Sequence, residues 1–243
     1  MSSRVTIAGL GLIGGSIAMA LRKRGWQVAY VDPHVTLRHA QERGAADERV
    51  DGATGDLVVI ATPVDVAVRL EVKARVATTT CSVMQPCVKP GIVAGHPFAG
   101  SEKNGLDNAR ADLFDGHPWF VDRDEPAVRA MIEATGAKQV VVDPAEHDRA
   151  AAFTSHLPQI ISTAMASLIE QKKIDPMFIG NGLRTILRLA ASSYEVWGSV
   201  LDANARNIGE AERELLRVMN AMTSRDFDRA RQFMAKYVEP PER

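Results

Sequence analysis

The stretch RVTIAGLGLIGGSIAMALRKRG, residues 4–25, restricts the fold more than any other part of the chain. RVTIA reads as a strand and IGGSIAMALRK as a helix, and Gly9, Gly11 and Gly14 stand between them in the spacing G-x-G-x-x-G. Each glycine has a physical task. The first permits the tight turn, the second lets an anion approach the backbone, and the third lets helix and strand pack closely. Unpaired N–H groups at the helix N-terminus, with the helix dipole, favour a bound phosphate. Gly25 then closes the helix as a C-cap.

The alternation continues beyond it. WQVAYVD reads as a second strand, LRHAQERG as a helix closed by glycine, and DLVVIATP as an apolar run typical of a strand buried on both faces. VATTTCS, GIVAGHPFAG, HPWFVD and KQVVVD read as further strands. Residues 1–143 are therefore expected to form a mostly parallel sheet with helices on both faces. Asp32 ends the second strand, about 20 residues beyond the glycine loop, where a carboxylate accepts hydrogen bonds from a ribose. With Leu12 and Ile13 of the loop and Thr62 and Pro63 at the next strand end, it completes a dinucleotide site. A carboxylate there repels a 2′-phosphate, with only His34 and Arg38 nearby in sequence to offset it, so NAD is favoured over NADP.

From residue 144 to 243 the strand pattern is absent and apolar residues recur at helical spacing. Asp143 is a candidate N-cap, with Pro144 and Glu146 behind it. Pro158 lies inside the helix that follows, so a kink or break is expected there. The charge balance, 29 Lys plus Arg against 30 Asp plus Glu, offers nothing to nucleic acid or an anionic membrane. No apolar run reaches membrane-spanning length, and the opening residues leave no room for a signal peptide, so a cytoplasmic protein is expected. Cys81 and Cys87 form neither a disulfide framework nor a zinc site, and read as two reduced thiols; no metal is expected.

In open parallel sheets ligands bind beyond the carboxyl ends of the strands. Ser82 and His96 both stand at such ends and are expected to face one crevice, on the edge that carries the glycine loop. Spacing alone leaves His96 open to two readings, a satisfied structural histidine or a catalytic one. The glycines of HPFAGSEKNG, residues 96–105, permit close backbone approach and favour the second.

GLGLIGGSIA, HPFAGSEKNG, LFDGHPWF, EHDRAAAFTSHLP and GLRTILRLAASSYEVW occur in this order across nearly the whole chain. With them the sequence resembles the prephenate/arogenate dehydrogenase family of tyrosine biosynthesis. The resemblance implies an α/β Rossmann-like dinucleotide-binding domain followed by an all-helical dimerisation domain, a homodimer, and an active site between domains. The implied reaction is NAD-dependent oxidative decarboxylation of prephenate to 4-hydroxyphenylpyruvate, the alternative being conversion of arogenate to tyrosine. It casts His96 as the proton acceptor and Ser82 as its partner at the substrate hydroxyl. Arg188 would bind a substrate carboxylate, Glu102 would lie near the mouth of the site, and His156 and Gln159 would line it. Arg184 reads as a secondary cation; Asp148 and Trp197 also match, for chemistry or for packing.

Three departures bear on this. Relatives often read SHLPH where this chain has SHLPQ, so Gln159 puts the choice between pyruvyl and aminated side chains in question. Thr185 replaces a common acidic residue. Cys81 and Met84 stand where G-S-V-K is usual, and the lost lysine is expected at an exposed position. A non-catalytic NAD-binding regulator would have little reason to keep Ser82, His96 and Arg188 together. A different dehydrogenase on this architecture would be expected to place a catalytic lysine or aspartate in the first helix of the helical domain, where this chain reads SHLP.

Overall fold

The computed structural model describes residues 3–100 and 103–238. The elements run β1 (Arg4–Ala8), α1 (Leu12–Lys23), β2 (Gln27–Val31), α2 (Leu37–Glu42), β3 (Glu48–Arg49), β4 (Ala53–Ile60), α3 (Val64–Ala67), β5 (Val72–Thr79), β6 (Ile92–Val93), β7 (Gly95–Pro97), β8 (Pro118–Val121), α4 (Pro126–Ala134) and β9 (Lys138–Val141). Helices follow: α5 (Pro144–Ala151), α6 (Leu157–Gln171), α7 (Asn181–Leu187), α8 (Tyr194–Ala203), α9 (Ala205–Asn220) and α10 (Ser224–Phe233).

The main sheet is parallel throughout, in the order β3-β2-β1-β4-β5-β6. That order reverses direction between β1 and β4, which opens a crevice at their carboxyl ends. β4 shows why its apolar run is continuous. Leu57 and Val59 face a core shared with Ile17 and Leu21 of α1 and Met131 and Ile132 of α4. Val58 and Ile60 face the other core, with Val64, Met84 and Val200 of α8. Each such aliphatic side chain, fully buried, contributes about 1.5–3 kcal/mol. Because α8 completes the second core, the helical part is packed directly onto the sheet.

Two expectations need correction, and one strand was not expected at all. GIVAGHPFAG is two strands, not one: β6 extends the parallel sheet, whereas β7 pairs antiparallel with β8 in a separate sheet, β7-β8-β9. The chain crosses over at Gly95, whose N–H donates to Thr79 Oγ1 at 3.0 Å; a Cβ there would come within 2.8 Å of the Thr79 carbonyl. β3, two charged residues beside β2, has no apolar pattern to announce it. Met84, expected at an exposed lysine position, is fully buried.

The helix start at residue 143 forms as expected, with the Asp143 carboxylate accepting from the Glu146 N–H at 2.9 Å. Pro158 does not break the helix. A π-helical turn, Ala152–His156, joins α5 to α6, and its wider winding moves aside the carbonyl that proline can neither pair with nor avoid. The same turn carries His156 into the interior. Among the described residues no helix is long and apolar enough to cross a membrane.

Candidate active site

The glycine loop fits a dinucleotide. Gly9 has φ +90°, and a Cβ on it would stand 2.5 Å from the Ala61 carbonyl. A Cβ on Gly14 would meet the Gly9 carbonyl at 1.9 Å, whereas one on Gly11 would meet nothing within 4 Å. The backbone at Gly11 is thus open to an approaching pyrophosphate. Gly11 offers no side chain to cap the N-terminus of α1, so its first N–H groups can serve an anion. Leu12 and Ile13 are half-buried beside this loop, and Thr62 packs against it, while Pro63 caps α3 just beyond.

Asp32 is tied to the loop. One carboxylate oxygen accepts from the Leu10 N–H at 2.8 Å, and the other from His34 and Val35 N–H at 2.7 and 3.1 Å. A carboxylate has about four acceptor positions, which leaves room for a ribose hydroxyl. Of the cations near it in sequence, Arg38 pairs instead with Glu42. The fold supplies another: Arg49 of β3 donates to the Asp32 carbonyl at 3.1 Å. Sequence proximity could not show this neighbour.

His96 lies in β7 rather than at the end of a parallel strand, and it is buried. The Gly95–Thr79 crossing nevertheless holds it beside the loop that carries the half-buried Ser82. A polar chain links them. His96 Nδ1 lies 3.0 Å from His147 Nε2, and His147 Nδ1 lies 2.9 Å from Asp148 Oδ1. Asp148 accepts from the Met84 and Gln85 N–H groups, at 2.7 and 2.9 Å, just after Ser82. Rings of Phe98, Phe120 and His147 close round this spot. Burial holds the His96 pKa at about 3, far below its usual 6.5, with the His147 and His156 rings adding to the effect. Its ring is a neutral imidazole at ordinary pH.

His156 is wholly buried, edge-on to Trp197, with Nδ1 3.1 Å from Asn204 Nδ2 and Nε2 without a partner among the described residues. Burial lowers its pKa to about 4 against the pull of Asp148. Gln159, one turn on, spends both amide hydrogens on Thr163 Oγ1 and the Leu189 carbonyl, at 3.1 and 2.9 Å. Because a backbone carbonyl only accepts, this bond fixes the amide's orientation, and Oε1 is left buried and unpaired. Ser162 also bonds Ile186 and Ala190, so α6 clasps the 3₁₀ turn that begins with the exposed Arg188. Arg184 and Thr185 are exposed on α7, and Thr185 bonds its own helix at Asn181. Glu102 lies outside the described residues.

His147 and Asn204 escaped the reading of the sequence. α5 looks like a polar surface helix, and the only local signal was the histidine preceding Asp148 inside a capped turn.

A parallel-sheet nucleotide-binding domain joined to a helical domain, with a neutral histidine buried beside the strand-end crevice, defines a two-domain protein of oxidoreductase architecture. The family models are more specific. Residues 17–141 match the nucleotide-binding domain of prephenate dehydrogenase, and residues 143–236 match its dimerization domain. The chain belongs to the prephenate dehydrogenase family. It is 31% identical to the prephenate dehydrogenase of Bacillus subtilis, over 89% of this chain and 68% of that one. To the Lactococcus lactis prephenate dehydrogenase it is 28% identical, over 83% of this chain and 65% of the other, so it spans slightly less than two thirds of that relative. A crystal structure of Aquifex aeolicus prephenate dehydrogenase with hydroxyphenyl propionate and NAD+ superposes with a TM-score of 0.81. It covers 98% of this chain and 95% of its own at 22% identity, a likeness of fold.

Proposed function

We propose that this chain catalyses the NAD-dependent oxidative decarboxylation of prephenate to 4-hydroxyphenylpyruvate, with residues 1–143 holding the cofactor and residues 144–243 completing the substrate site. The observation that carries the reading is His96: buried, neutral, held by a second histidine, and next to the Ser82 loop.

NAD, when bound, supplies the acceptor for the hydride that leaves C4 of the ring. His96 accepts the proton of the C4 hydroxyl as that hydrogen departs, and Ser82 hydrogen-bonds the same oxygen and keeps it facing the imidazole. Loss of CO2 from C1 sends its electron pair through the ring to the C4 oxygen, which recovers the proton from His96 as a phenol. Arg188 binds a carboxylate with its planar fork of donors, His156 offers its ring to a second acceptor, and Gln159 contacts the side chain. Asp32 holds the adenosine ribose. Its charge favours NAD over NADP even with Arg49 close by.

The active form is read as a homodimer. Leu168, Ile186, Leu216, Met219, Phe227 and Phe233 are exposed on α6, α7, α9 and α10, apolar surface that a second copy would cover.

The test is NADH formation with NAD and either prephenate or arogenate, in the native protein and in His96→Asn. Prephenate-dependent NADH that falls about 100-fold or more in the variant supports the proposal. Silence with both substrates, or a variant with near-native turnover, refutes it.

A further inference from the structure

We infer that His147, Asp148 and Asn204 are positioning residues that impose opposite tautomers on the two site histidines, so that His96 presents a bare Nε2 and His156 a protonated one. The catalytic consequence rests on the function proposed above. The proton positions do not.

Asp148 is fully buried. Its Oδ1 accepts the Met84 N–H and its Oδ2 the Gln85 N–H, so both oxygens act as acceptors. The proton in the 2.9 Å contact to His147 therefore sits on the imidazole, at Nδ1. With its Nδ1–H spent on Asp148, His147 turns Nε2 toward His96 as a lone pair. That lone pair faces His96 Nδ1 at 3.0 Å, and His96 must supply the proton between them. Its single N–H is spent there. Nε2 of His96 is bare, which is what a base receiving a hydroxyl proton needs.

The second branch starts from the same residue. Asn204 donates from Nδ2 to the Asp148 carbonyl at 2.7 Å, and its Oδ1 accepts from Asn207 at 2.7 Å. These two bonds fix the amide's orientation. Its other N–H is directed at His156 Nδ1, 3.1 Å away, which must accept. The proton of His156 is thus on Nε2, the atom that is buried without a partner among the described residues. An unpaired buried N–H is costly, and an acceptor on a bound substrate relieves that cost. One histidine is set to take a proton from the substrate, and the other to donate a hydrogen bond to it. Asp148 serves both branches, its carboxylate facing His147 and its main-chain carbonyl accepting from Asn204.

The test needs no substrate. In 15N-histidine-labelled native protein, long-range 1H–15N correlations at neutral pH identify which ring nitrogen carries each proton. Signals are assigned by their loss in His96→Asn and His156→Asn. We expect Nδ1–H for His96 and Nε2–H for His156. Finding His96 protonated at Nε2, as a doubly protonated His147 would impose, or His156 protonated at Nδ1, overturns the inference.

Kinetics give a second arm. A glutamine at 147 can place an amide oxygen near the former Nε2 and still accept from His96, whereas leucine cannot. His147→Leu should lower kcat about 100-fold, the scale of lost general-base catalysis, and His147→Gln no more than about 10-fold, with KM for prephenate within about 3-fold in both. Equal losses in the two variants mean that His147 only packs. Tautomers as expected in a protein inactive on prephenate would sink the proposed function and leave this inference standing.

Discussion

Lowering the pH from about 7 to about 5 protonates His96 and His156 in the unfolded chain but not in the folded one, and that difference is a stability loss of calculable size. Unfolded, each histidine titrates near 6.5; folded, burial holds them at about 3 and about 4. The unfolded state therefore binds more protons below 6.5, so stability falls as the pH drops through that value and on toward the folded pKa. Each pKa unit is about 1.4 kcal/mol, so the 1.5 units between 6.5 and 5 remove about 2 kcal/mol per histidine and about 4 kcal/mol for the pair. This is a large part of the 5–15 kcal/mol that holds a typical domain together. The assay is urea unfolding at both pH values, at one fixed protein concentration so that any association affects both alike. His96→Asn and His156→Asn serve as controls, and comparing pH dependences cancels every other titrating group. Each variant should lose about 2 kcal/mol less than the native protein over this interval. A pH dependence identical to the native one in both variants would mean that neither histidine is held neutral by the fold.

Arg188→Ala should raise KM for prephenate at least about 10-fold with little change in KM for NAD, as when a carboxylate loses its charged partner; loss of cofactor affinity instead would place Arg188 on the wrong side of the crevice. Asp32→Ala should narrow the preference for NAD over NADP in kcat/KM, and equal use of both by the native protein would show that Arg49 outweighs the carboxylate. Because Gln159 has only an acceptor left to offer, the native site should take arogenate at a measurable fraction of its efficiency with prephenate. Gln159→His should shift the ratio toward prephenate by about 1 kcal/mol, and a fixed ratio would mean that Gln159 does not read the side chain.

Much of this architecture could be read from residues in line. The glycine loop, the apolar run of β4 and the capped start of α5 are local signals, and each produced the element expected of it. The crossover at Gly95 was not legible, because the close approach that demands a glycine there is to Thr79, in another strand. β3 is a strand only because β2 is beside it. In the candidate site, His96 and Ser82 stand in motifs that the sequence itself displays. His147 and Asn204 were not legible, since what makes them consequential is burial against Asp148, and burial of a polar helix face is decided by packing. Met84 shows the same limit: the lysine usual there suggested solvent, and the packed core of α3 and α8 overrules it.

In the reaction proposed above, hydride leaves C4 of prephenate and CO2 leaves C1, with His96 holding the hydroxyl proton. Prephenate carrying deuterium at C4 tests it in one experiment, with NADH, its isotope content and CO2 measured together under NAD. We expect one CO2 for each NADH, the label in the reduced cofactor, and both products falling together in His96→Asn. CO2 released without NADH, or the label recovered in water, would contradict the account.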